Sequence, residues 1–143
     1  MSLILDSSAT LAFLLDDERT PAISALFDTV VQNGAVVPSL WYLEVANSLT
    51  VAVRRKRIPA VARDQLLLHL KRIDIATDEE THVHAWTATV KIADLYGLSI
   101  YDAAYLELAQ RRRLPLATLD TALTNAARQS GVIVLPIKAT SRR

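Results

Sequence analysis

Four acidic residues in this chain sit where a strand gives way to a helix or where a helix begins: Asp6, Glu44, Asp102 and Asp120. Asp6 follows the apolar run Leu3-Ile4-Leu5 and heads Asp6-Ser7-Ser8. Glu44 lies between Trp41-Tyr42-Leu43 and Val45-Ala46, a segment otherwise suited to burial, with Asn47 and Ser48 completing a polar stripe at i+3 and i+4. Asp102 opens a helical segment three residues after Ser99, and Asp120 closes Ala117-Thr118-Leu119-Asp120. Four carboxylates held close repel one another and must be neutralised by protons or by hard cations. Oxygen ligands, with no cysteine and no convergent histidine pair, favour Mg2+ or Mn2+ over Zn2+. A metal so held polarises a phosphoryl oxygen and lowers the pKa of water for in-line attack. Ser8 and Thr118, beside the acids, can donate hydrogen bonds that position the phosphate. Taken singly, each acid has a plainer explanation: Asp6 and Asp120 as helix N-caps, Asp102 as the partner of Ser99 in a capping box.

What would gather these residues is a sheet edge. The periodicity predicts strands over 3–5, 35–38, 73–75, 114–118 and 132–135, and helices over 22–31, 40–53, 60–70, 79–95, 101–112 and 121–129, the fourth of these helices stopped by Gly97. Strands alternating with helices imply a parallel sheet covered on both faces. The fold class expected is therefore α/β, a three-layer α/β/α doubly wound sheet of strand order 3-2-1-4-5. In such a sheet ligands collect at the carboxyl edge, above the point where strand order reverses. Asp6 and Asp120 follow the first and fourth strands, and Glu44 and Asp102 begin helices on the same edge, so the four converge.

Composition narrows the class. Apolar residues make up 51% and charged residues 22%, which describes a packed chain rather than a disordered one. One domain over 1–143 is expected at this length. No basic leader precedes a long apolar run, and no stretch reaches the ~20 apolar residues of a membrane helix, so the expectation is a cytoplasmic protein. The glycines are Gly34, Gly97 and Gly131, which excludes a P-loop or dinucleotide fingerprint. His82 and His84, two apart, point to different sides of a helix, and Trp41 and Trp86 read as core or interface residues. A net charge of +1 conceals basic runs at Arg54-Arg55-Lys56-Arg57 and Arg111-Arg112-Arg113 and a terminal Arg142-Arg143, with no acid beyond Asp120. These runs suit a polyanion, with Arg54, Arg55, Arg112 and Arg113 the candidate contacts; equally, each internal run falls where a helix ends and favours its macrodipole.

Leu-Asp-Ser-Ser-Ala at 5–9, Leu-Glu-Val-Ala-Asn at 43–47, Tyr-Asp-Ala-Ala-Tyr-Leu-Glu-Leu-Ala at 101–109 and Ala-Thr-Leu-Asp at 117–120 resemble the ordered motifs of PIN-domain ribonucleases. They are most similar to those of the VapC toxins of type II toxin–antitoxin pairs. The resemblance implies that Asp6, Glu44, Asp102 and Asp120 form the acidic catalytic cluster, with Mg2+ (or Mn2+) on Asp6, Asp102 and Asp120. It matches Thr118 and Ser8 to the family's hydroxyl positions, and it implies an RNA substrate. It also implies a homodimer and a VapB-like antitoxin whose C-terminal segment blocks the site. Some family members carry a further acid where this chain has Thr121 and Thr124, which bears on a second metal. Three other readings compete: a PIN nuclease of RNA processing without an antitoxin, a binding module whose acids only cap helices, and an aspartyl phosphatase. The last wants a second acid at the Ser8 position.

Overall fold

A computed structural model describes residues 2–137; the terminal pair Arg142-Arg143 lies outside the described residues. Five short strands, β1 (Ile4–Leu5), β2 (Ala35–Val37), β3 (Ile75–Thr77), β4 (Leu116–Ala117) and β5 (Val134–Leu135), form one parallel sheet of order β3-β2-β1-β4-β5. Ile4 is the centre of the register, opposite Val36 on one side and Leu116 on the other. The strands are short, but Leu3, Ile4, Leu5, Val37, Leu116 and Ala117 are at most 1% exposed, as a sheet covered on both faces requires.

Right-handed crossovers decide which helices cover which face. The chain moves one way along the sheet through α1 (Ser7–Leu14) and α2 (Pro21–Asn33), then through α3 (Leu40–Arg54) and α4 (Ala60–Lys71), so these four share a face; α1 packs on α3 and α3 on α4. It returns through α5 (Thr81–His84), α6 (Ala88–Tyr96) and α7 (Ile100–Arg112), and ends through α8 (Thr121–Gln129), on the other face. Helix α7 packs on α5, α6 and α8 and against β1 and β4, and residues 103–109 are all buried. The fold class and strand order agree with those expected from the sequence.

Strands β3, β4 and β5 each begin two residues later than expected, and the helix expected over 79–95 is divided; the division and the shift of β3 have visible causes. The helix expected over 79–95 is broken at Thr87 (φ −122°, ψ −92°), which separates α5 from α6 and turns Thr89, Ile92 and Ala93 inward. The break leaves Trp86 92% exposed, so it is no core residue, whereas Trp41 is buried and donates from its indole N–H to Thr10 Oγ1 at 3.0 Å. The third strand begins two residues late, because the Ile73 N–H still closes α4 on the Leu70 carbonyl at 3.1 Å and pairing with β2 runs on to Thr77. Gly97 ends α6 in the left-handed region (φ 66°), the role expected of it. Gly34 (φ 78°) is needed for space as well, since a Cβ there would stand 3.1 Å from the Asp74 carbonyl oxygen.

Candidate active site

Asp6 is the residue at which β1 becomes α1. Its backbone is extended (φ −88°, ψ 171°) and its carboxylate caps the helix, accepting the Ala9 N–H at 2.9 Å. Because β1 pairs with β4, the same carboxylate lies against Thr118, whose hydroxyl donates to Oδ2. The Ser8 hydroxyl lies 2.8 and 2.9 Å from the two Asp6 oxygens. Backbone amides complete the network: Leu119 N–H donates to Ser8 Oγ and Asp120 N–H to Thr118 Oγ1, both at 3.0 Å. Asp6 is only 3% exposed, and burial pushes its carboxyl up to about 6. The hydrogen bonds from Ala9, Thr118 and Ser8 pull the other way, and the charge of Asp102 adds to the rise.

The remaining acids arrive from three helix starts. Asp120 caps α8, accepting the Leu123 N–H at 2.8 Å. Asp102 stands in the first turn of α7, its own N–H donated to the capping Ser99 hydroxyl at 3.1 Å. Its carboxyl is raised by burial, then by the charges of Asp120 and Glu44, against a hydrogen bond from Ser99. Glu44, half-buried in the early turns of α3, accepts the Tyr105 hydroxyl at 2.7 Å and the Ser7 hydroxyl at 3.4 Å. Asp102 therefore feels the charges of Asp120 and Glu44 and adds its own, smaller effect to Asp6. The caps and the cluster are the same residues. Helix starts are where a parallel sheet puts its carboxyl edge, so an acid there serves both purposes.

Sequence reasoning misses Tyr105 and Ser7. Tyr105 is 1% exposed, and burial, then its bond to Glu44, holds its phenol far above the ordinary value. It lies three residues after Asp102, on the same helix face, and that spacing is the available signal. The basic residues are not brought to the acids. Arg54 and Arg112 stand ten residues beyond Glu44 and Asp102 on their helices, about 15 Å along the axis. Arg55 and Arg113 are the residues that close those two helices, and all four side chains are exposed. Arg112 lies 3.6 Å from Asp78, Arg57 pairs with Asp17 and Glu18, and Arg111 pairs with Asp78 and Glu107. His84 faces Glu80 at 3.9 Å, away from the acids, and His82 is exposed.

An all-oxygen donor set, with the Asp6 and Asp102 carboxyls raised by burial and by neighbouring acids, suits a hard divalent cation. Among the described residues no three acids or histidines are already gathered to hold an ion, and the Asp6 oxygens are satisfied by Ser8, Thr118 and Ala9.

A doubly wound α/β/α sheet with carboxylates at its switch point defines a class of site. The family model described as PIN domain matches residues 3–129, and the chain belongs to the PIN domain family. PIN domains are generally metal-dependent nucleases. Among solved structures, PAE2754 from Pyrobaculum aerophilum is similar at TM-score 0.69 and 22% identity over 94% of this chain and 90% of that one. FitAcB from Neisseria gonorrhoeae matches at TM-score 0.63 and 18% identity, covering 94% and 96% of the two chains. VapBC2 from Rickettsia felis, bound to a DNA fragment from their promoter, matches at 0.63 and 13%, covering 94% and 97%. A search of curated proteins finds no significant match.

Proposed function

We propose that this chain is an endoribonuclease dependent on Mg2+ (or Mn2+) and the toxin of a toxin–antitoxin pair. The observation that carries the reading is geometric: Asp6 and Asp120 follow the adjacent strands β1 and β4 at the switch point of the sheet and are linked through the Thr118 hydroxyl, with the half-buried Asp102 near enough to feel Asp120 and Glu44. Capping needs no such convergence. Asp6, Asp102 and Asp120 would hold the metal, which supplies a Lewis acid and a water of lowered pKa. Ser8 and Thr118 fix the Asp6 carboxylate and offer hydroxyls to the phosphate. Glu44, held by Tyr105 and Ser7, would orient water or take its proton. The likeness to FitAcB and VapBC2 supports an antitoxin partner, VapB-like, whose C-terminal segment covers the acids. A homodimer and a cytoplasmic setting belong to the same reading; no helix among the described residues is long and apolar enough to cross a membrane.

Two measurements test it. Purified chain is expected to cleave single-stranded RNA with Mg2+ or Mn2+ and to stop in EDTA, and its expression alone is expected to arrest bacterial growth. Metal-independent cleavage, or none with either metal, refutes the nuclease. Cleavage in vitro with normal growth in vivo refutes the toxin and leaves a processing nuclease.

Tyr105→Phe gives a narrower prediction. The ring still fills its buried site, but the Glu44 carboxylate loses the hydrogen bond that the Tyr105 hydroxyl donates to it. We expect kcat to fall roughly tenfold at little change in KM. Unchanged kcat would mean that Tyr105 serves packing alone.

A further inference from the structure

The acid cluster poses a problem for its own proposed substrate. A nucleic-acid strand brings a negative charge with every phosphate, and the arginine runs that stand out in the sequence lie about 15 Å along their helices from Glu44 and Asp102. Arg128 also stands about 12 Å along its helix, α8, from Asp120, but unlike those runs it shares a cavity with Thr118, whose hydroxyl touches Asp6. Thr121, Thr124, Asn125 and Arg128 recur at i, i+3, i+4 and i+7 and so share one face of that helix, opposite Leu123, Ala126 and Ala127, which are buried.

An outward polar stripe is ordinary on an amphipathic helix. Two features separate this one. First, its residues line a cavity of about 120 Å3 together with Thr118, the hydroxyl that donates to Asp6. Long side chains on a helix lean towards its N-terminus, which lets Arg128, in the last turn of α8, line the same cavity as Thr121 and Thr118. Second, every side-chain donor on the lining suits an anion, and no carboxylate lines it. Arg128 forms no ion pair among the described residues, in contrast to Arg57, Arg111 and Arg112. The larger cavity near Arg19 and Arg57 is also lined by Asp16 and Asp17, which neutralise it. At about 120 Å3 the α8 cavity is well below the roughly 300 to 1,000 Å3 of whole-ligand pockets. It takes one small group of a longer molecule.

We propose that this cavity is a phosphate subsite for the RNA backbone, immediately beside the cleavage site, with Arg128 supplying the charge and Thr121, Thr124 and Asn125 the hydrogen bonds. The proposal rests on the nuclease reading above and adds where the strand runs: along the outward face of α8, past Thr118 and on to the acids. Val134 and Pro136 form the apolar side of the cavity. An anionic group there meets the α8 donors on one side and an apolar wall on the other.

The test uses the full chain and a short single-stranded RNA. Arg128→Gln is expected to raise KM roughly tenfold with kcat nearly unchanged, the loss of one charge-assisted contact. In an Asp6→Asn background, where cleavage is disabled, it should lower the slope of log affinity against log salt by about 0.7, one phosphate on a single strand. Arg128→Lys should keep the slope. Placing an uncharged methylphosphonate beside the scissile position should weaken binding to the protein that carries Arg128 and leave binding to the Arg128→Gln variant unaffected. A wild-type KM and slope in Arg128→Gln overturns the proposal, as does a fall in kcat alone. If the unaltered chain neither binds nor cleaves RNA, the nuclease reading fails and takes the subsite with it; if the unaltered chain is active and Arg128→Gln matches it, the subsite alone fails.

Discussion

Asp6→Asn is expected to reduce RNA cleavage at least about a hundredfold and, at neutral pH without metal, to raise the melting temperature. The two effects have one cause. The Asp6 carboxylate is 3% exposed, close enough to Asp102 to feel its charge, and held with a pKa pushed up to about 6, mainly by burial. Its charged form is the form a cation needs and the form the empty fold tolerates least. Asparagine keeps the shape and the helix cap, because its side-chain oxygen can still accept the Ala9 N–H. Its amide can donate to the Ser8 and Thr118 hydroxyls, which rotate to accept. What is lost is the ligand charge, and even residues that only support a metal ligand are worth tenfold to about a hundredfold.

The pH dependence follows from the direction of the shift. Below about pH 4 Asp6 is protonated in both folded and unfolded chains and contributes nothing. Between about 4 and 6 the unfolded chain releases its proton and the folded chain keeps it, so stability falls as pH rises. Above about 6 the penalty is complete, on the order of 3 kcal/mol. Asp102 is shifted the same way and adds to the slope. The difference in metal-free melting temperature between Asp6→Asn and the unaltered chain should therefore open between pH 4 and 6 and stay open above. In saturating Mg2+ it should shrink or reverse, since the cation stabilises only the charged form. A difference that is flat with pH would mean that the carboxyl is not strained by burial, and full cleavage activity in Asp6→Asn would remove it from the site.

How much of this is legible in the sequence depends on whether a residue's partner is local. The strand order follows from alternation and crossover handedness, and the acids follow from the strand order, because a helix start is a local signal. The helix over 79–95 reads as continuous because its apolar pattern runs through Thr87 without interruption; only packing of Thr89, Ile92 and Ala93 against α7 breaks it. The third strand is misplaced because Ala76 and Thr77 lie on an exposed edge and carry no hydrophobic mark. Tyr105 escapes notice because its partner Glu44 is 61 positions away. The basic runs mislead for the same reason: clustering along the chain is visible, and the acids that neutralise Arg57 and Arg111 are not. Arg128, alone among uncharged neighbours, carries no such mark at all.

Arg111 illustrates the difference, and its replacement should have the largest effect on stability of any arginine in the described chain. Its guanidinium holds Asp78 in a bidentate pair at 3.0 and 2.8 Å and reaches Glu107 at 2.8 and 3.0 Å. The side chains of Asp78 and Glu107 are 1% and 5% exposed. The hydrogen bonds from Arg111 hold the Asp78 carboxyl down at about 2, with Thr81 assisting against burial. Arg111→Leu leaves the buried Glu107 carboxylate without a counter-charge and Asp78 with only the exposed Arg112 at 3.6 Å, and breaking such a network from one side costs about 3 to 5 kcal/mol. That is a large share of the roughly 5 to 15 kcal/mol that holds a domain folded. It also releases α7 from Asp78, whose backbone N–H is bonded to the Val37 carbonyl at the end of β2. Arg112→Leu is the control: its side chain is 45% exposed and 3.6 Å from Asp78, so it should cost no more than about 1 kcal/mol. Adding Glu107→Leu to Arg111→Leu should recover part of the loss, since it removes one of the stranded charges. Because Asp78 is depressed, the pair's contribution is present above about pH 4 and is lost as pH falls towards 2. Urea unfolding at pH 7 and pH 2.5 checks both statements: the gap between Arg111→Leu and the unaltered chain should be wide at the first and narrow at the second. Equal stability of the two single variants at pH 7 would mean that Arg111 is a surface arginine after all, free to meet phosphate.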